Sequence, residues 1–210
     1  MKRIVPALLA VAAVATLATG CNKLKARDNL NKGSQAFRAA QYSQAVERFE
    51  EAVRLDPNWP PPRLYLAMAY YMQYIPGAES AENQQMAEHA LDQFQKVLAL
   101  DPKNDTATKS IASLYFYQKK LDLAEQWNKK ILELNPKDKE AYYTLGVIVW
   151  TKWYPVYGAA RAKLGMTPDA AGPIKDKKVK EDLKEKYLPL INSGIDDLQK
   201  ALDEIGRAHV

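Results

Sequence analysis

The sequence predicts an all-α solenoid of helix-turn-helix units, with helical insertions in units two and four. Three observations predict it. Segments stop alike at Leu55-Asp56-Pro57, Leu100-Asp101-Pro102 and Leu134-Asn135-Pro136. Small residues recur upstream at Gly33, Ala67, Ala112 and Gly146, so the second interval is longer than the first and third. Apolar residues return at intervals of three and four, the stripe by which a helix buries one side. A period of this size marks units that stack on their neighbours to build a continuous core.

The N-terminus reads as an address. Lys2 and Arg3 precede an apolar run from Ile4 to Ala18, broken only by Thr16. Spanning a bilayer takes about 20 residues, so this shorter run suits the core of a secretory signal. It ends in Leu17-Ala18-Thr19-Gly20-Cys21, with the only cysteine of the chain. This segment resembles the lipobox of bacterial lipoproteins, although Ala18 stands where that family more often has leucine. The resemblance implies that residues 1–20 are removed and that Cys21 becomes a lipidated first residue. Residues 21–27 would then be a short tether. Asn22, in place of a sorting aspartate, implies delivery to the outer membrane, facing the periplasm. No cofactor beyond that covalent lipid is expected.

The repeats follow over 28–204. Unit one, about 26–59, carries Gly33, Tyr42, Ala45, Phe49, Ala52 and Pro57 in register. Unit two, about 60–104, repeats them as Ala67, Ala90, Phe94 and Val97 but is longer between its helices. Unit three, about 105–138, has Ala112, Ala124 and Ile131. Asn128 takes the slot of Phe49 there, and Trp127 beside it is expected to substitute. Unit four, about 139–204, opens with Tyr142, Leu145 and Gly146, and its second helix is expected only at Gly194, Leu198 and Ala201. An insertion over about 155–190 separates them. It should hold a short helix from Gly158 to Leu164, a turn-rich piece from Met166 to Pro173, and a charged helix from Asp176 to Ile191 that Pro189 kinks or ends. Pro155 should disturb the helix before it.

This pattern resembles the tetratricopeptide repeat, a helix-turn-helix unit with a period of about 34 residues. Small residues sit where two helices cross, because close approach forbids a large side chain, and proline closes each second helix. Glu204 falls where Leu55, Leu100 and Leu134 stand in their units. Residues 205–210 (Ile-Gly-Arg-Ala-His-Val) resemble a translated sequencing adapter, so a foreign tail is expected there and further natural helices beyond Glu204.

Catalysis is not expected. From Cys21 onward basic and acidic residues nearly balance, too evenly for nucleic acid. His89 is the only histidine before the tail, whereas a zinc site needs three or four protein ligands. No glycine-rich phosphate loop occurs, and no serine has an evident activating base. Glu181 and Glu185 lie one turn apart on a lysine-rich face, with no reason for a raised pKa.

The resemblance implies instead that the first helices line a groove for a peptide or partner helix. Phe37, Tyr71, Phe116 and Trp150 each fall four residues after a small crossing residue. They would form a ladder along that groove, flanked by Arg38, Tyr65, Met72 and Tyr117; packing between successive first helices is the alternative. Only Lys109 and Arg38 suit a carboxylate clamp, which disfavours that ligand class. Trp150, Trp153, Tyr154 and Tyr157 are expected on one helix face, chiefly as a core for the insertion. The reading is a lipid-anchored scaffold mediating protein–protein interaction in envelope-complex assembly. The alternative is an accessory or small-ligand-binding subunit with its site under the insertion.

Overall fold

A computed structural model describes residues 4–167 and 172–207, with side chains from Gly20 onward. Lys2, Arg3, residues 168–171 of the turn-rich piece and residues 208–210 of the tail lie outside the described residues. Among the described residues there are eight helices and no strand. They are α1 (Ile4–Arg38), α2 (Tyr42–Leu55), α3 (Pro60–Tyr71), α4 (Ala81–Leu100), α5 (Asp105–Tyr117), α6 (Leu121–Leu134), α7 (Lys139–Lys163) and α8 (Lys177–Arg207). No helix among the described residues is long and apolar enough to cross a membrane.

The chain divides into two compact bodies, residues 1–118 and 119–210. In the first, α1 to α5 pack in sequence order. Ala45, Phe49 and Ala52 of α2 are fully buried, as are Ala67 of α3 and Ala90, Phe94 and Val97 of α4. These are the small and large residues of the repeat. Burying one phenylalanine contributes about 1.5–3 kcal/mol, so Phe49 and Phe94 are main anchors of this body.

One stop signal is used three times. The N–H of Asp56, Asp101 and Asn135 closes on the carbonyls of Ala52, Val97 and Ile131, four residues back. The carbonyls of the same three residues accept from Trp59, Asn104 and Asp138. Proline follows each and cannot extend the helix. The next helix then starts on a prepared end: Pro60 occupies the first turn of α3, and the side chains of Asn104 and Asp138 cap α5 and α7.

The insertion in unit two is divided between the loop over 72–80 and a longer α4, 20 residues against 14 in α2 and α6. Buried Asn83 holds the loop, accepting from the Ile75 N–H at 2.7 Å and donating to the carbonyls of Ile75 and Ala78. Nothing in the sequence pattern singled out Asn83.

In the second body the structure corrects two expectations. The insertion in unit four is not a separate set of helices. Both helices of the unit simply extend: α7 passes through Pro155, α8 passes through Pro189, and the two pair as a hairpin. A single missing N–H is tolerated because Trp153 packs against Tyr187 across the pair, with ring centroids 5.4 Å apart. Second, Trp127 does not replace Asn128. Asn128 is itself buried, donating to the Ala124 carbonyl, whereas Trp127 is half-buried beneath the Lys130 ammonium. In the first body, residues 22–27 lie within α1, where Ala26 is fully buried. Residues 205–207, the described start of the suspected tail, continue α8.

Candidate partner-binding surfaces

In the first body the ladder positions are half-buried, and Phe37 joins α1 to the next first helix, α3. Phe37 of α1 meets Tyr42 edge-on at 5.4 Å and Tyr65 of α3 at 6.5 Å, and it packs on the core around Phe49 and Leu66. Tyr71 of α3 meets Phe94 edge-on at 6.5 Å. Burial pushes the pKa of its hydroxyl above the usual phenol value. Phe116 packs edge-on against Tyr117. Tyr70 turns the other way: its hydroxyl donates to Glu50 at 2.7 Å, its ring lies over His89, and burial raises its pKa. The free surface belongs to the flanking residues. Tyr65, Met72 and Tyr117 are exposed, as is Arg38 at the end of α1.

In the second body the four aromatics divide between two faces of α7. Trp153 and Tyr157 turn toward α8, their rings tilted against one another with centroids 5.6 Å apart. Trp150 and Tyr154 turn outward, stacked on each other at 5.1 Å with planes 23° apart. Trp150 is 58% exposed, and Tyr143, two turns earlier, is 59% exposed. Tyr143, Trp150 and Tyr154 thus form one open aromatic stripe. The sequence reading missed Tyr143, although its heptad spacing from Trp150 was available. Beside the stripe, Lys152 bridges to Asp122 and Glu125 of α6, both at 2.7 Å, and so fixes α7 to α6. The lysines beside Glu125 hold its carboxyl below the usual carboxylate value, Lys129 first and Lys152 next.

Trp153, Tyr157, Pro173, Ile174, Leu183, Leu188 and Ile191 line an open cleft of about 210 Å³ in the hairpin, together with Lys180 and Lys184. Arg161 braces the loop above it, donating to the Gly172 carbonyl at 2.9 Å and to the Tyr157 hydroxyl at 3.1 Å.

The tetratricopeptide repeat family matches residues 84–146, which run from α4 into α7. The fold is that of the tetratricopeptide repeat. Solved structures agree over a wider span. The MamA protein of Desulfovibrio magneticus RS-1, residues 41 to the end, is similar over 87% of this chain and 92% of its own, at 19% identity and a TM-score of 0.51. The tetratricopeptide domain of Arabidopsis OM64 is similar over 60% of this chain and 96% of its own, also at 19% identity and a TM-score of 0.51. A comparison with curated proteins finds no match.

Proposed function

We propose that this tetratricopeptide-repeat protein is a lipid-anchored scaffold that faces the periplasm and binds protein partners during assembly of an envelope complex. The open stripe of Tyr143, Trp150 and Tyr154 carries the binding part of this reading. Aromatic side chains present large rigid contact area and are the residue types most enriched among interface anchors. These three are held by a helix whose other faces pack on α6 and α8, so they are presented without further ordering. Tyr65, Met72 and Tyr117 give the first body a second, smaller surface of the same chemistry. The lipobox resemblance at Cys21 supports the anchor, and Cys21 is exposed on α1. More than one acyl chain is needed for stable anchoring, which an N-terminal lipidated cysteine would supply.

Two substitutions test the reading separately. Cys21→Ala should move the protein from the detergent-extracted membrane fraction to the soluble periplasm, or leave it unprocessed. Unchanged fractionation would remove the anchor. Trp150→Ala with Tyr154→Ala should abolish site-specific photo-cross-links to partners in the envelope while the melting temperature holds. Cross-links that persist would remove the stripe.

The hairpin cleft favours a second reading, a small-ligand-binding accessory subunit. Its walls are aromatic and aliphatic with lysines among them, the composition of a site for an apolar anion. Quenching of Trp153 fluorescence by dodecanoate, but not by dodecyltrimethylammonium, would support it.

A further inference from the structure

A groove opens on the far side of α7 from the aromatic stripe. Ala159 follows Trp150 by nine residues, about two and a half helical turns, so the two point to opposite sides. On the Ala159 side α7 carries Lys152, which holds Asp122 and Glu125 at the start of α6. Val156, Ala159 and Lys163 follow Lys152 at intervals of four, three and four, so they continue the side of α7 on which α6 lies. Here Val156, Ala159 and Ala160, with Leu164 just after α7, face Val179 and Leu183 of α8 across an open groove of about 740 Å³. Its described lining comes from the α7–α8 hairpin alone, all within the second body.

The chemistry of the groove is two-part. The floor is aliphatic, and its two alanines let another backbone come close. Three lysines stand around it, Lys163 on the α7 side and Lys178 and Lys186 on the α8 side, against one carboxylate, Asp182. That carboxylate is already engaged by Lys186 at 2.9 Å. Lys163 and Lys178 are exposed and pair with no carboxylate among the described residues. A flat anionic bilayer would reach such lysines but not a floor recessed between two helices. An amphipathic helix reaches both, with its apolar side down and its charged flanks level with the walls.

We propose that the α7–α8 groove receives an acidic amphipathic helix of a protein partner, laid in the layer that α6 begins. Its apolar residues rest on Val156, Ala159 and Ala160, and its carboxylates meet Lys163 and Lys178. From Val156 to Lys163 the groove runs roughly 10 Å along α7, enough for two turns of a docked helix. The inference does not rest on the stripe of Tyr143, Trp150 and Tyr154, which faces the other way.

Fluorescence anisotropy with defined peptides on the full chain tests it. The probe is a labelled peptide of about 18 residues, longer than the 12–15 or so below which an isolated helix is marginal. It carries leucines at helical spacing on one side and glutamates beside them; a twin has lysine for every glutamate. The glutamate peptide should bind saturably and at least about tenfold more tightly than its twin, with the difference shrinking in added salt. Lys163→Glu with Lys178→Glu should reverse that preference, a gain that loss of folding does not produce. Ala159→Gln raises the floor without changing the charge and should weaken the glutamate peptide about tenfold or more. Its melting temperature should hold, because Ala159 is exposed. Trp150→Ala with Tyr154→Ala should bind the peptide as the parent does, so this site and the stripe succeed or fail separately. Absence of saturable binding, equal affinity for the twins, or indifference to Ala159→Gln would overturn the proposal. So would phosphatidylglycerol vesicles that bind the parent through Lys163 and Lys178 while the glutamate peptide does not, since the lysines would then serve a lipid surface.

Discussion

The Leu198 side chain fills the space that a β-carbon on Gly146 would need. Such a carbon would stand 2.4 Å from Leu198 Cγ, and one on Gly194 would stand 2.7 Å from Val149 Cβ. The two glycines therefore set how closely α7 and α8 cross. Gly33 does the same for α1 and α2, where the fully buried Phe49 ring would be 2.5 Å away.

Gly146→Ala should therefore destabilise the protein by about 1–3 kcal/mol, the cost of overpacking a close contact. It should do so even though alanine is the better helix former by up to about 1 kcal/mol. Gly158 lies in the same helix with nothing within 4 Å of its would-be β-carbon. Gly158→Ala should be neutral or stabilising by up to about 1 kcal/mol. Urea midpoints of the two variants should move in opposite directions, and a shared sign would show that propensity, not crossing distance, governs α7.

The aromatics of α7 give a second prediction. Trp153→Ala removes a ring that packs on both Tyr157 and Tyr187, and should cost about 3 kcal/mol. Trp150→Ala removes a ring supported chiefly by Tyr154 and should change stability by about 0.5 kcal/mol or less. Thermal melts of the two variants are the measurement, and equal losses would show that Trp150 is packed as firmly as Trp153.

The repeat was legible because its physics is local. A proline stop and a small crossing residue must stand at fixed offsets, so Pro57, Pro102, Pro136, Gly33 and Gly146 read directly. The hairpin was misread for a comparable reason. Pro155 and Pro189 are breaking signals in isolation, and only packing such as that of Trp153 on Tyr187 overrides them. Four closely spaced aromatics, from Trp150 to Tyr157, read as one face. In a helix they spread over about 100°, with Trp153 and Tyr157 on one side and Trp150 and Tyr154 on the other, so α8 takes two of them and leaves two open. Asn83 and Arg161 were invisible, since a side chain that holds a loop leaves no periodic mark.

The Lys152 bridge makes stability depend on pH. The Glu125 carboxyl is held below its ordinary value in the folded state by Lys129 and Lys152. A lowered folded pKa contributes stability that is present above the unfolded pKa and is lost as pH falls through the folded one. The join between α6 and α7 should therefore weaken as pH drops below the ordinary carboxylate value of 4.5. Glu125→Gln should flatten that part of the stability profile. Lys152→Met should cost about 1 kcal/mol or less near neutrality, because the group is partly solvated. A profile below pH 4.5 that is identical in the parent and Glu125→Gln would assign the acid loss to other carboxylates.

Asn83 is the residue on which the loop over 72–80 most depends. It is only 6% exposed, and its amide satisfies three backbone groups that α3 and α4 leave without helical partners. Removing one partner of a buried hydrogen bond costs the desolvation of the other, about 1–3 kcal/mol. Asn83→Ala orphans the Ile75 N–H and the Ala78 carbonyl and leaves the Ile75 carbonyl only its bond from the Ala78 N–H, and should cost at least that range. Asn83→Asp separates the contributions. It keeps the acceptor for the Ile75 N–H but sets a carboxylate against two carbonyls, so it should be no better than alanine at neutral pH. It should recover in acid, where a protonated carboxyl regains one donor. Hydrogen exchange at the Ile75 amide reports the bond directly. It should be fast in Asn83→Ala and slow in the parent, with the α4 amides near Phe94 protected in both. Equal exchange at Ile75 in the two proteins would mean that the loop is held by other contacts, such as the Ala78 N–H to Ile75 carbonyl bond at 3.2 Å.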